Sequence, residues 1–153
     1  MIVFGLPILP FLPNPDKNAV ECALSIMQEI EEMNHKRAQA GTKEPISIGV
    51  GVSSGEVIAG NVDSGDRVEY TVIGDAANMV ARLEDLAGDN QILLSPATYG
   101  RVKDMVEVKA WPPRNIPGLN DLVSVYELFR LRSAQKTQPQ STQMGLGRIA
   151  ANQ

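Results

Sequence analysis

The feature that most constrains the fold is a predicted strand–turn–strand unit followed directly by a helix. Glu56–Val62 and Arg67–Ile73 are both predicted to be strands, the second because it is rich in Val, Tyr and Thr. Residues 63–66 between them, Asp-Ser-Gly-Asp, are a strong turn signal. This spacing predicts an antiparallel hairpin. Asp75 then offers a side-chain cap for a helix over Ala76–Ala87.

The remaining segments predict an α+β domain in which two long helices pack on a mostly antiparallel sheet. Apolar residues recur at helical spacing from Asp16 to about Ala40. Other expected elements are strands at Ile2–Phe4, Ile46–Val52, Ile92–Leu94, Val106–Lys109 and Ser124–Phe129, and a short helix near Ala97–Val102 capped by Ser95. Residues 132–153 are polar and lack periodicity, so we expect a domain at 1–131 and a tail or linker at 132–153.

Composition excludes several classes of protein. The 153 residues have room for one domain of ordinary size. A net charge of −4 argues against a broad nucleic-acid-binding surface. No apolar run reaches the ~18 residues of a membrane-spanning helix. The single cysteine, Cys22, cannot form an internal disulfide, so we expect a reduced core thiol in a cytoplasmic protein.

Asn78 and Arg82 are the first candidates for a functional site. They are four residues apart on the predicted helix, so their side chains lie on one face, one turn apart. An amide beside a guanidinium fork suits a phosphate or another oxyanion. Taken alone, such a pair is more often part of a solvated helix face.

The stretch EYTVIGDAANMVARLE, Glu69–Glu84, and the preceding block Gly49–Asn61 resemble the C-terminal half of the class III adenylate/guanylate cyclase catalytic domain. MIVFGLP, ILLSPATYGRV and VSVYEL match further segments of that family in the same order, so the resemblance covers about residues 2–130. It implies a ferredoxin-like cyclase fold. Because MIVFGLP resembles a strand within that domain, we expect the chain to be its later part, truncated at the N-terminus.

The resemblance also implies a reaction. The family makes a cyclic nucleoside monophosphate and pyrophosphate from a nucleoside triphosphate, with two Mg²⁺ or Mn²⁺ ions, at the interface of a head-to-tail dimer. Asn78 falls at the family's ribose-orienting asparagine and Arg82 at its transition-state arginine. Thr71 falls at the base-selecting position and favours ATP, although threonine is also a common strand residue. Arg67 is near enough in the strand to contact phosphate, or it is a surface arginine.

Two departures from the family limit what we expect of this chain alone. The family's metal-binding aspartates and base-selecting lysine would precede Met1, so the metals are expected in the intact parent domain and not in this chain alone. A family lysine that contacts the triphosphate is replaced by Pro117. We therefore expect an adenylate cyclase fragment that is inactive alone. A guanylate cyclase and a non-catalytic, cyclase-like interaction module remain as alternatives.

Overall fold

Three helices and eight strands make up the part of the chain that the structure, a computed structural model, describes: residues 1–5, 13–63, 68–117 and 121–132. The helices are α1 (Pro15–Gln39), α2 (Asp75–Leu86) and α3 (Pro96–Val102). The strands are β1 (Val50–Val52), β2 (Ile58–Asp63), β3 (Val68–Ile73), β4 (Ile92–Leu94), β5 (Val106–Ala110), β6 (Arg114–Asn115), β7 (Leu122–Val123) and β8 (Tyr126–Leu131). Residues 133–153 lie outside the described range, so the polar tail stays a prediction.

The strands form one central sheet and two small hairpins. The central sheet has the order β1-β4-β8-β5, in which β1 pairs with β4 in parallel and the other two pairs are antiparallel. Strands β2 and β3 pair with each other from Ile58↔Ile73 to Asp63↔Val68, which confirms the predicted antiparallel hairpin. Strands β6 and β7 form the second hairpin.

Helices cover both faces of the central sheet, as strand β4 shows. Its three residues are all buried, and successive side chains of a strand point to opposite faces. Ile92 and Leu94 pack with Val20 of α1 and Val102 of α3. Leu93 packs on the other face with Leu83 of α2, in a cluster completed by Ile116 and Val125. The described residues therefore form a hydrophobic cluster on each face of the central sheet.

Helix α2 lies directly against β1 because two glycines leave room for it. A Cβ at Gly51 would come within 2.7 Å of the Val80 carbonyl oxygen and 2.9 Å of the Glu84 amide nitrogen, both in the backbone of α2. A Cβ at Gly49 would come within 2.8 Å of the Ala87 Cβ. These separations are shorter than ordinary van der Waals contact, so the position of α2 depends on both glycines.

Three local predictions differ from the structure. Ile2–Phe4 is not a strand, and β1 begins at Val50 rather than at Ile46. A strand needs a hydrogen-bonded neighbour. Among the described residues no strand pairs with Ile2–Phe4, and the Ile46 backbone amide donates to the Asn34 side chain instead of to a strand. Asp75 is the first residue of α2 and not its cap; Gly74 takes the cap position with φ at 151°, without a side-chain cap bond.

Other local predictions are confirmed. The Ser95 side chain accepts a hydrogen bond from the Thr98 amide and caps α3. Helix α1 ends just before Gly41, which has a φ of 89°, a conformation that glycine adopts readily. One further prediction, that Cys22 is a core thiol, is wrong, because Cys22 on α1 is only half-buried.

We predict that Gly51→Ala and Gly100→Ala change stability in opposite directions. Gly51→Ala should lower the free energy of unfolding by about 1–3 kcal/mol, because its new methyl group overlaps the backbone of α2. Gly100 lies in α3, where an added Cβ would meet no atom within 4 Å, so alanine there should raise it by about 0.5–1 kcal/mol. Urea denaturation of both variants measures the difference. Equal effects would contradict the close contact of α2 with β1.

Candidate active site

Asn78 and Arg82 line one cavity of about 500 Å³ on the outer side of α2. Ala81, Asp85 and Leu86 belong to the same wall, and Ile116 and Pro117 form the opposite wall. The Asn78 side chain is exposed and that of Arg82 is half-buried. The structure thus brings the two predicted residues together beside a segment that lies far from them in the sequence.

The buried side of α2 fixes how these two side chains face the cavity. Leu83 is completely buried and packs with Leu93, Ile116 and Val125. Leu83 is adjacent to Arg82, so its burial sets the rotation of the helix and turns Arg82 away from the sheet. At the start of the helix, the backbone N–H of Asn78 donates to the Gly74 carbonyl oxygen at 3.1 Å.

The opposite wall is held by the same core. Ile116 is 2% exposed and belongs to the cluster that contains Leu83. Pro117 follows it and is exposed at the rim of the cavity. Because Ile116 contacts the core and the cavity at once, the width of the cavity depends on packing between α2 and the 111–117 segment.

The polar groups of the cavity suit an anion. Within the described part of the chain, no ion pair involves Arg82. Its guanidinium offers a fork of donors, and the Asn78 amide adds a donor or an acceptor one turn away. Asp85 carries the one carboxylate among the described residues that line the cavity. A phosphate group is therefore better matched to Asn78 and Arg82 than to the Asp85 end.

The same residues do not fit a pair of divalent cations. Mg²⁺ prefers several oxygen ligands, whereas this cavity offers the Asp85 carboxylate and the Asn78 amide oxygen beside a positive guanidinium. Among the side chains that the structure describes, no three His, Cys, Asp or Glu residues form a metal-binding group. The cavity as described is therefore a poor match for a divalent cation.

The structure does not bring the two other predicted site residues, Thr71 and Arg67, together with Asn78 and Arg82 among the described residues of this cavity. Thr71 lies on β3, paired with Gly60 of β2, and is half-buried; it does not line the cavity of Asn78 and Arg82. Arg67 lies outside the described residues. The roles expected for both remain predictions.

Sequence reasoning found part of the cavity and missed the rest. Helical periodicity predicts that Asp85 shares a face with Asn78 and Arg82, and all three line the cavity. Ala81, three residues after Asn78, could have been identified in the same way. Pro117 stands out in the sequence only as a departure from the family. Nothing local in the sequence indicates that Ile116 faces α2, because that contact joins distant segments.

A second cavity, of about 540 Å³, lies along the edge of β1. Ala19, Cys22 and Ile26 of α1 line one side of it, and Ala76 and Val80 of α2 line the other. The opposite edge of β1 is occupied by β4. Among the described residues no strand pairs with the edge that faces this cavity.

Comparison with known sequences gives two findings. The model of the adenylate and guanylate cyclase catalytic domain family matches residues 1–128. Adenylate cyclase 1 of Rhizobium meliloti is 28% identical over 123 residues, which are 79% of this chain and only 18% of that protein.

No helix among the described residues is long and apolar enough to cross a membrane.

Two solved structures show the same fold. The adenylyl cyclase CyaB from P. aeruginosa is 22% identical and has a TM-score of 0.71, over 84% of this chain and 66% of that one. The guanylate cyclase domain of RhGC from Catenaria anguillulae, solved in complex with GTP, is 22% identical with a TM-score of 0.69 and the same coverage. These likenesses confirm the predicted α+β cyclase fold.

We predict that Leu83 and Arg82, adjacent on α2, contribute differently to stability. Leu83→Ala should lower the free energy of unfolding by about 2–5 kcal/mol, because it leaves a cavity in the core. Arg82→Ala and Asn78→Ala should change it by only about 0.5 kcal/mol, because these side chains line the cavity and are not part of the core. Thermal denaturation followed by circular dichroism compares the three variants. A large loss in Arg82→Ala would mean that Arg82 is structural.

Proposed function

The chain belongs to the adenylate and guanylate cyclase catalytic domain family, and from this premise we propose that it is part of an enzyme that makes cyclic AMP and pyrophosphate from ATP. The observation that carries the proposal is the placement of Asn78 and Arg82 in one cavity, within a chain that the family model matches over residues 1–128.

In this proposal Asn78 and Arg82 act on the reacting end of the nucleotide. The ribose 3′-hydroxyl loses its proton to water as its oxygen bonds to the α-phosphorus, the bond from that phosphorus to the oxygen bridging to the β-phosphorus breaks, and pyrophosphate leaves. Negative charge builds up on the α-phosphate oxygens, and the guanidinium of Arg82 is placed to neutralise it. The Asn78 amide, one turn away, orients the ribose by a hydrogen bond.

The choice of ATP rests on Thr71. A threonine hydroxyl can accept a hydrogen bond from the exocyclic amine of adenine. The matched relative from Rhizobium meliloti is named as an adenylate cyclase, whereas the RhGC domain was solved with GTP. Guanylate cyclase activity is therefore the alternative within the same family.

We also propose that catalysis requires more polypeptide than this chain. The chain spans 18% of the Rhizobium meliloti cyclase and about two thirds of the solved cyclase domains. Mg²⁺ or Mn²⁺ would be held by residues other than those that the structure describes. A second subunit, arranged head to tail, would complete the site. We place the parent enzyme in the cytoplasm.

A non-catalytic interaction module is the second candidate. The observation that favours it is the cavity along the edge of β1 that has no paired strand among the described residues; α1, α2 and the N-terminal residues Met1–Gly5 line this cavity. Such an edge can bind an extended peptide as an added strand. Cyclic nucleotide formation distinguishes the two candidates, because a module of this kind would produce none.

The function is tested by Arg82→Ala in a polypeptide that joins this chain to the remaining third of the cyclase domain. Cyclic AMP formation with Mg²⁺ or Mn²⁺ should fall by ~10²–10³ in kcat, because the charge on the transition state loses its donor. Arg130→Ala is the matched control. Arg130 is an exposed arginine on β8 that bonds Glu107 and does not line the cavity. Unchanged turnover in Arg82→Ala would remove Arg82 from the mechanism.

Nucleotide choice is tested by Thr71→Val, which keeps the shape of the side chain and removes its hydroxyl. We expect kcat/KM for ATP to fall roughly fivefold to tenfold, the worth of one hydrogen bond, while kcat/KM for GTP does not fall. Steady-state rates with both nucleotides measure the ratio. An equal loss for ATP and GTP would show that Thr71 does not select the base.

A further inference from the structure

Glu127 of β8 is a half-buried carboxylate that joins two distant parts of the fold. Its Oε2 accepts a hydrogen bond from Trp111 Nε1 at 2.9 Å. Its Oε1 accepts one from Gln91 Nε2 at 3.2 Å. The neighbouring residue Leu128 packs in the core beneath α1, so the Glu127 side chain points to the opposite face of the sheet, where α2 lies.

Gln91 connects Glu127 to the end of α2. Gln91 uses its other side-chain atom, Oε1, to accept a hydrogen bond from the Gly88 amide at 2.9 Å. Gly88 lies two residues beyond the last residue of α2, Leu86, which lines the cavity of Asn78 and Arg82. Glu127 is therefore connected through the Gln91 side chain to the C-terminal end of α2.

Trp111 connects Glu127 to the opposite wall of that cavity. The Trp111 amide donates to the Val125 carbonyl oxygen at 2.8 Å, and its ring packs in the cluster of Leu83 and Ile116. The Arg114 guanidinium lies 4.3 Å from the centre of the ring. Trp111 thus anchors the start of the segment that ends in the wall residues Ile116 and Pro117.

The hydrogen bonds from Trp111 and Gln91 require that both side-chain oxygens of Glu127 act as acceptors. An ionised carboxylate accepts at both of its oxygens and donates at neither. It can therefore serve an indole N–H and an amide N–H at once, which a side-chain amide cannot do with its separate oxygen and nitrogen. Removing it leaves half-buried donors of Trp111 and Gln91 without this acceptor, which is costly for buried polar groups.

We propose that Glu127 is a positioning residue of this site, which sets the separation between the end of α2 and the wall formed by Ile116 and Pro117. The role in turnover rests on the proposed cyclase function. Glu127 does not line the cavity, so it acts only through Gln91 and Trp111. Displacing the wall relative to Arg82 misplaces the triphosphate, and small displacements of this kind are expensive in rate.

The first test uses the emission of Trp111, the single tryptophan of the chain. In the full 153-residue chain, Glu127→Ala should shift the emission to longer wavelength and increase quenching by acrylamide, because the indole is no longer held by the carboxylate and becomes more accessible to water. Glu127→Gln keeps one oxygen for the indole N–H and should restore the wild-type emission. Glu107→Ala is the matched control, since Glu107 is an exposed sheet carboxylate bonded to Arg130.

Amide hydrogen exchange tests the link between the two walls. Glu127→Ala should accelerate exchange both at residues 86–91 and at 111–117, while Glu107→Ala changes neither. Acceleration at only one of the two segments, or unchanged Trp111 emission, would overturn the proposal. If Glu127→Ala does not fold, the same exchange pattern is expected in Gln91→Ala for residues 86–91 and in Trp111→Phe for residues 111–117.

Turnover is measured in the joined polypeptide that tests the function. Glu127→Ala should lower kcat by roughly tenfold to a hundredfold per folded molecule, and Glu127→Gln should recover part of it. An unchanged kcat beside the expected exchange pattern would overturn the positioning role. If the wild-type polypeptide makes no cyclic nucleotide, the proposed function fails, and emission and exchange still decide whether Glu127 joins the two walls.

Discussion

The contact of helix α2 with strand β1 is the constraint on which the rest of the structure depends. Gly49 and Gly51 bring the helix within a distance that no side chain would permit, and the atoms that a Cβ at Gly51 would meet first are backbone atoms that cannot move aside. With the helix fixed there, Leu83 enters the core and Arg82 faces outward. The geometry of the candidate active site thus depends on two glycines, Gly49 and Gly51, which have no side chain.

Much of the fold could be predicted because its signals are local. The turn at 63–66, the periodicity of α1 and the Ser95 cap each act within a few residues, and the hairpin, the helix and the cap are observed. Ile2–Phe4 has strand-like residues but no neighbouring strand among the described residues, and it is not a strand. Sequence periodicity reports which residues could pair; it does not supply the partner.

Of the candidate site, only the α2 residues could be predicted from the sequence, because only their spacing is a local signal. Asn78 and Arg82 share a helix, so their spacing predicts that they lie together, and the family resemblance gives them roles to test. The facing wall, Ile116, and the carboxylate that links both walls, Glu127, depend on contacts between distant segments. No local pattern identifies such residues. They define the width of the cavity, while the α2 residues define its chemistry.

The most direct test of the central claim mixes this chain with a cyclase domain that keeps its metal-binding carboxylates but lacks its own counterparts of Asn78 and Arg82. Cyclic AMP formation from ATP is the measurement. If the cavity on α2 stabilises the transition state, the mixture with the wild-type chain should produce cyclic AMP, and the mixture with Arg82→Ala should not. Equal production with both chains, or none with the wild-type chain, would contradict the account.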